Sequence, residues 1–241
     1  MDLVIVVPAR NEEGAIGKTL DAIEQHVQAP HRVVVVNDHS TDQTVSIVTA
    51  MGQNHPNIEL VHNKREPGFA NAIATGFEHA AADAVVPVMG DLCDAPATID
   101  LMLSKIADGY DVVCGSRYAP GGVKMGGPRL QDFFSRFVGL TIWLITGIGT
   151  RDVSNAFKMY RKSVIDSIRI ESRSIEVSME LALKAHFAGW RITEVPTVWH
   201  GRIEGHSKIR LFRIAPGYVK WYLWAIGKRL RGLLYPNPKS H

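Results

Sequence analysis

The chain has 241 residues, 46% of them hydrophobic, with 27 Lys/Arg against 24 Asp/Glu and two cysteines. This composition excludes a disordered chain and a disulfide-stapled scaffold; the length suits one large α/β domain with an appended tail. The net charge of +3 is unevenly spread: from Arg202 onward nine Lys/Arg face one acid, Glu204, while the remainder holds 18 against 23. A basic tail calls for an anionic membrane surface, a phosphorylated ligand or nucleic acid, or is simply a solvated helix face.

Met1-Asp2 lead straight into a strand-like run, so no secretory leader is expected. The apolar segment 137–149 is too short to span a bilayer and reads as a core or interfacial helix. Cys93 and Cys114 read as ordinary small buried residues. Together these point to a reducing, cytoplasmic setting.

In chain order, the apolar run 3–7, closed by Pro8, predicts the first strand. Ile16, Leu20, Ile23 and Val27 then fall at helical spacing. A second strand over 33–36 ends in Asn37-Asp38-His39-Ser40-Thr41-Asp42, where Ser40 or Asp42 can cap the next helix. Strands follow at 58–61, 84–89 and 112–114, with a helix opened by Gly68 between the first two of these. The alternation predicts a mostly parallel sheet covered on both faces. Beyond Tyr118 the rhythm changes. Gly- and Pro-rich turns bracket 119–128, and helices are expected over 130–145 and 178–188, with a strand over 190–195. A last helix over 209–233 is both aromatic and basic. No GxGxxG follows the first strand, which argues against a dinucleotide fold.

The polar loops sit at strand carboxyl ends, where open α/β sheets bind ligands. Asn11 and Glu12 either hydrogen-bond a base or ribose, or serve as a helix cap and first turn. Asp38 is harder to explain as a cap and suits a base N–H or a ribose hydroxyl. The fourth strand runs into Gly90-Asp91-Leu92-Cys93-Asp94, two carboxylates at a sheet edge. Asp94 is either a second metal carboxylate beside Asp91 or the start of the helix after Pro96.

The ordered set Val7-Pro8-Ala9-Arg10-Asn11-Glu12-Glu13, Val36-Asn37-Asp38-His39-Ser40-Thr41-Asp42, Arg65-Glu66-Pro67-Gly68-Phe69-Ala70-Asn71-Ala72 and Gly90-Asp91-Leu92 resembles inverting glycosyltransferase family 2. The likeness is greatest to its dolichol/polyprenyl-phosphate sugar synthases. It continues through Gly115-Ser116-Arg117-Tyr118, the run Asp152 to Lys158, and Arg202 to Lys208. The resemblance implies a GT-A fold, with a nucleotide-binding half over 1–118, an acceptor half over 119–208 and an amphipathic tail over 209–241. It implies a nucleotide-sugar donor (GDP- or UDP-linked), a lipid-phosphate acceptor, Mg or Mn, and peripheral attachment at the cytoplasmic membrane face.

By the same resemblance, Pro8, Asn11, Glu12, Asp38 and Gly68 fall at the donor site, and Asp91 meets metal and donor diphosphate. Arg117, Arg129 and Ser135 face the acceptor phosphate, and Arg202, Ser207 and Lys208 belong to a segment that closes on the donor. Asp91 and Arg117 are the expected catalytic pair. The departures are chemical: Met89 stands where the family has an acid and Cys93 where a metal-binding Gln occurs, neither matching a hard cation. Asn37 replaces an acid, His39 a glycine, and Lys158 an arginine, losing the bidentate fork.

A lipid phosphate is already an anion and needs no general base; a sugar hydroxyl acceptor would need one, with Asp152 or His39 as candidates, although Asp152 also reads as a helix start. The Trp/Tyr-rich, basic closing segment suits either a helix in the headgroup layer or one packed on its own domain. A non-catalytic nucleotide-sugar binder is the alternative class. Nucleic acid is not an expected partner, since no recognised binding module accompanies the basic tail.

Overall fold

The computed structural model describes residues 1–201 and 211–234, with side chains described over 1–201 and 214–232. Strands β1 (Leu3–Ala9), β2 (His31–Asn37), β3 (Ile58–His62), β4 (Ala84–Pro87) and β5 (Val112–Ser116) alternate with helices α1 (Ile16–His26), α2 (Thr44–Asn54), α3 (Phe69–His79) and α4 (Thr98–Ala107). Then come β6 (Val123–Met125), α5 (Arg129–Thr146), β7 (Lys158–Arg161), α6 (Lys162–Ser167), α7 (Val177–Phe187), β8 (Ile192–Pro196), β9 (Val198–His200) and α8 (Leu211–Leu234).

The main sheet has seven strands in the order β3-β2-β1-β4-β7-β5-β8, with β6 and β9 forming a separate parallel pair. Every pair in the main sheet is parallel except those of β7, which is antiparallel to both β4 and β5. Strands β1 and β4 are apolar at every position, as expected of a sheet buried on both faces. Leu3, Ile5 and Val7 face one core with Val33, Val35, Ile16, Leu20 and Met102. Val4, Val6, Val34 and Val36 face the other, with Ile73, Phe77, Tyr160 and Leu181. Gly76 lets α3 lie against β1: a Cβ there would meet Val6 Cγ1 at 2.2 Å.

A third cluster joins α5, α7 and α8. The tryptophans of the closing helix pack on its own domain. Trp221 is 1% exposed, its Nε1–H donates to Ser172 Oγ at 2.8 Å, and its ring meets Trp224 edge-on at 5.5 Å. Trp224 in turn packs edge-on against Phe187. These tryptophans dock α8 on its own domain, so they are not an interfacial belt. The exposed apolar surface lies chiefly on α5: Leu130, Phe133, Phe134, Phe137, Leu140 and Leu144. Among the described residues no helix is long and apolar enough to cross a membrane.

Candidate active site

The loops leaving β1, β2 and β4 are joined at the carboxyl edge of the sheet. Among the described residues the three non-glycine positions with positive φ are Asn11 (52°), His39 (58°) and Leu92 (59°), one in each of these loops. Left-handed backbone at a leucine is strained, and such strain gathers where a site over-determines its loops.

The first two loops bind each other. Asn11 Oδ1 accepts the Thr41 N–H at 2.8 Å, and the Asn11 N–H donates to Ser40 Oγ at 3.1 Å. The Glu12 N–H donates to Thr44 Oγ1, and Glu13 exchanges hydrogen bonds with Asp42 and Gln43. Helix α1 starts only at Ile16, with no acid in its first turn. Asn11 is therefore not its cap, and Glu12-Glu13 are not its first turn; the bonds of Asn11 and Glu13 go to the neighbouring loop, while the Glu12 carbonyl accepts the Ala15 and Ile16 N–H groups where α1 begins. Asp42 does accept the N–H of Thr44, the first residue of α2, at 3.0 Å. Burial works against the Asp42 carboxylate, but its bonds from Thr44 and Glu13 hold its pKa below the usual value.

Asp38 is buried and ties three segments together. It accepts the Gly68 N–H at 3.0 Å and Asn63 Nδ2 at 2.7 Å, with Arg10 Nη1 at 4.0 Å. His39, a candidate base, places Nε2 at 2.9 Å from the Arg65 carbonyl oxygen. Pro8 lies inside β1, and its carbonyl approaches Gly90 so closely that a Cβ there would sit 3.2 Å away. The acidic loop is thereby pressed against the first strand.

In that loop Asp91 is buried, and its Oδ1 accepts the Cys93 N–H at 3.2 Å. Asp94 is neither a cap nor a second outward-facing carboxylate. Helix α4 starts at Thr98 with Ala97 as its cap, and Asp94 Oδ2 turns back to accept the Met89 N–H at 3.1 Å. Burial pushes the Asp94 pKa up to about 7, with Asp91 and Asp152 nearby adding to the rise.

Beside this loop lies a denser pair. Arg117 donates Nε and Nη2 to the two oxygens of Asp152, each at 2.7 Å, and its backbone N–H to the same carboxylate at 2.9 Å. Asp152 is fully buried and starts no helix. A carboxylate held this way is not available as a general base, so both sequence readings of Asp152 are corrected. Burial opposes the Arg117 charge, yet Asp152 outweighs it and raises the guanidinium pKa. Nη2 of Arg117 also reaches Ser135 Oγ at 3.1 Å, and Ser135 Oγ lies 2.6 Å from Ser154 Oγ. Arg117 and Ser135, both expected at the acceptor phosphate, are thus hydrogen-bonded to each other. Arg129 is the exposed first residue of α5.

Lys158 does not face the site. It is fully buried, donates Nζ to the carbonyls of Val153 and Asn155, and has its pKa lowered by burial. It holds from beneath the turn that presents Asp152 and Ser154. Glu176 was not singled out by the sequence: it is 7% exposed, among the described residues its Oε2 has no hydrogen-bond partner, and Gly217 of α8 lies against its carboxyl group. Tyr218 sits in the same group of charges; burial, then Glu176, raises its phenol pKa. Arg202, Ser207 and Lys208 lie outside the described residues.

The residues present do not fit a divalent cation held by the chain alone. Asp91 is buried with Oδ1 on the Cys93 N–H, Met89 and Cys93 offer sulfur, and Asp94 is turned back onto the Met89 N–H with its proton retained toward neutral pH. Among the described residues no group of three His, Cys, Asp or Glu is arranged to hold a metal.

The family described as Glycosyl transferase family 2 matches residues 4–169, from the first strand to beyond β7. The chain belongs to that family. Family 2 membership makes it a glycosyltransferase and accounts for the polar loops gathered at one sheet edge. Among curated proteins it is similar to a dolichol-phosphate mannosyltransferase of Pyrococcus furiosus, 25% identical over 87% of this chain. The chain spans 60% of that relative's length. A polyprenol monophosphomannose synthase of Mycolicibacterium smegmatis is 24% identical, over 94% of this chain and 88% of its own. An undecaprenyl-phosphate mannosyltransferase of Micrococcus luteus is 25% identical, over 97% and 98%. Among solved structures, glucosyl-3-phosphoglycerate synthase of Mycobacterium tuberculosis, in complex with Mn2+, UDP and glucosyl-3-phosphoglycerate, superposes with a TM-score of 0.72 at 18% identity. That match covers 94% of this chain and 80% of the synthase, and shows the shared GT-A fold. The same synthase has been solved with Mg2+ and UDP.

Proposed function

We propose that this family 2 enzyme moves a sugar, with inversion, from a GDP- or UDP-sugar to a polyprenyl or dolichyl phosphate at a membrane surface. One observation supports the acceptor class above the rest. Helix α5 places Ser135 on Arg117, and from there its exposed apolar residues Phe137, Leu140 and Leu144 run on away from the site. An anionic head at this end of α5, with an apolar chain along the helix, is the shape of a lipid phosphate. The relatives named for dolichol, polyprenol and undecaprenyl phosphates agree with this reading.

The disposition of candidate bases agrees too. Asp152 is paired with Arg117 and Asp94 is turned inward; His39 donates Nε2–H to the Arg65 carbonyl and lies in the loop read as holding the donor's base and ribose. A hydroxyl acceptor needs a free base, whereas a phosphate oxygen attacks as an anion. In this reading the donor's base and ribose lie against Pro8, Asn11, Glu12, Asp38 and Gly68, and Asp91 faces its diphosphate. Arg202 and Lys208 balance the charge that develops on the leaving nucleoside diphosphate. Mg or Mn, expected from the resemblance, would have Asp91 as its protein ligand and would depend on the donor's phosphates for the others.

Surface attachment is part of the proposal. The exposed apolar residues of α5 and the exposed Lys228, Arg229 and Arg231 of α8 suit an anionic bilayer at the cytoplasmic face. Sedimentation with anionic and neutral vesicles tests it; equal absence from both pellets refutes attachment. The transfer itself is tested by offering GDP-mannose and UDP-glucose with a polyprenyl phosphate or with sugar-hydroxyl acceptors. A glycosylated lipid phosphate is the expected product. Glycosylation of hydroxyl acceptors alone would support the other family 2 chemistry.

A further inference from the structure

We propose that Arg136 receives the anionic head of the acceptor, and that Arg117 chiefly positions it; this rests on the lipid-phosphate reading above. The first ground is what Arg117 already does. Three of its donors go to Asp152, one of these also reaches Ser135, and its side chain is only 10% exposed. An arginine so deeply engaged fixes the geometry around Ser135 and Tyr118 more than it offers a fork to an incoming phosphate.

Arg136 is the next residue on α5 after Ser135, and it is exposed. Its guanidinium carbon lies 4.9 Å from the centre of the Tyr118 ring, against which Arg117 also packs at 5.1 Å. The ring is itself fixed, because the Tyr118 hydroxyl donates to Asp132 Oδ1 at 2.9 Å and Lys124 holds the same oxygen at 3.0 Å. Among the described residues Arg136 makes no ion pair within 4.0 Å; Asp132, one turn earlier on α5, feels its charge but spends its carboxylate on Tyr118 and Lys124, so stacking orients the guanidinium without a direct carboxylate partner. An arginine held flat against an aromatic face keeps its N–H edges for a planar or tetrahedral anion.

Its neighbours complete the argument. Phe133, Phe137 and Leu140, three before, one after and four after it on α5, are all exposed, and Phe133 and Phe137 stack on each other. A cation set in an apolar helix surface matches an amphiphile with one anionic end.

The test compares wild type with Arg136→Ala and Arg136→Lys, using citronellyl phosphate in detergent without vesicles, and GDP-mannose or UDP-glucose, whichever the wild type uses. The expected result is a KM for citronellyl phosphate raised roughly 10- to 100-fold in Arg136→Ala, with the donor KM unchanged. Arg136→Lys should recover part of the loss, since it keeps charge but not the fork. Unchanged acceptor KM, equal loss toward donor and acceptor, or a defect seen only when anionic vesicles are added would each overturn the proposal while leaving the transferase reading intact. No product from wild type with any polyprenyl phosphate would instead refute the lipid-phosphate reading, and this proposal with it.

Discussion

Arg117 and Asp152, 35 residues apart in sequence, face each other across the site as a bidentate pair, with Nε and Nη2 each 2.7 Å from a carboxylate oxygen. Breaking a buried pair from one side leaves the other charge uncompensated. Asp152→Asn is expected to cost about 3–5 kcal/mol of stability and to lower transfer sharply. The double variant Arg117→Met/Asp152→Leu should be less unstable than the sum of the single changes. Denaturant titration of wild type, Asp152→Asn, Arg117→Met, Asp152→Leu and the double variant checks this; additive losses would mean that the two side chains act independently.

Asp94 gives a pH signature. Unfolded, its carboxyl ionises near the ordinary 3.8; folded, burial holds the proton to about 7. Between these values the native state binds more protons than the unfolded one, so this residue's contribution falls as pH rises, by up to about 1.4 kcal/mol per pH unit. Asp94→Asn mimics the protonated carboxyl. The stability difference between variant and wild type should therefore grow in the variant's favour from about pH 4 to 7 and then level off. Transfer by Asp94→Asn should stay close to wild type. Loss of transfer with an intact fold would show that Asp94 works as a carboxylate.

Asp91 should behave in the opposite way. Asp91→Asn preserves the shape of the loop but removes the charge proposed to meet the donor diphosphate. Turnover is expected to fall by about 10²–10³-fold, the scale of losing one preorganised electrostatic contact, with melting nearly unchanged. Calorimetry with Mn2+ should show no binding to the chain alone and binding only with the nucleoside diphosphate present. Tight Mn2+ binding without nucleotide would contradict the ligand set described above.

Two packing changes probe how α5 and α8 are set on the domain. A Cβ at Gly139 of α5 would meet the Arg151 carbonyl oxygen at 2.0 Å, next to Asp152. Gly139→Ala is expected to destabilise by about 1–3 kcal/mol through overpacking. Trp221→Ala removes the buried ring that docks α8 and should cost about 3–5 kcal/mol. Thermal melts that leave either variant unchanged would refute the packing role of that residue.

The first half of the chain was plain in the sequence because its strands are short apolar runs punctuated by polar loops, and each loop carries a recognisable set of residues. Strand β7 was not. Its Lys-Met-Tyr-Arg sequence shows no polar–apolar alternation, and the burial of Lys158 depends on carbonyls supplied by the turn before it. The inward turn of Asp94 was equally hidden, since Asp-Ala-Pro before an apolar helix reads as a cap until Met89 is seen as its partner. The pairing of Arg117 with Asp152 joins two motifs whose contact only the fold creates. The tryptophans of α8 have the same composition whether they meet a bilayer or α7; packing decided the matter. Arg136 carried no signal in the sequence beyond following Ser135.

The most direct measurement is of the product. Purified chain, incubated with GDP-mannose or UDP-glucose and a polyprenyl phosphate, should release nucleoside diphosphate and form a lipid-phosphate sugar with inverted anomeric configuration, read by mass spectrometry and NMR. Donor consumption that yields only glycosylated hydroxyl acceptors, or a retained anomer, would contradict the account.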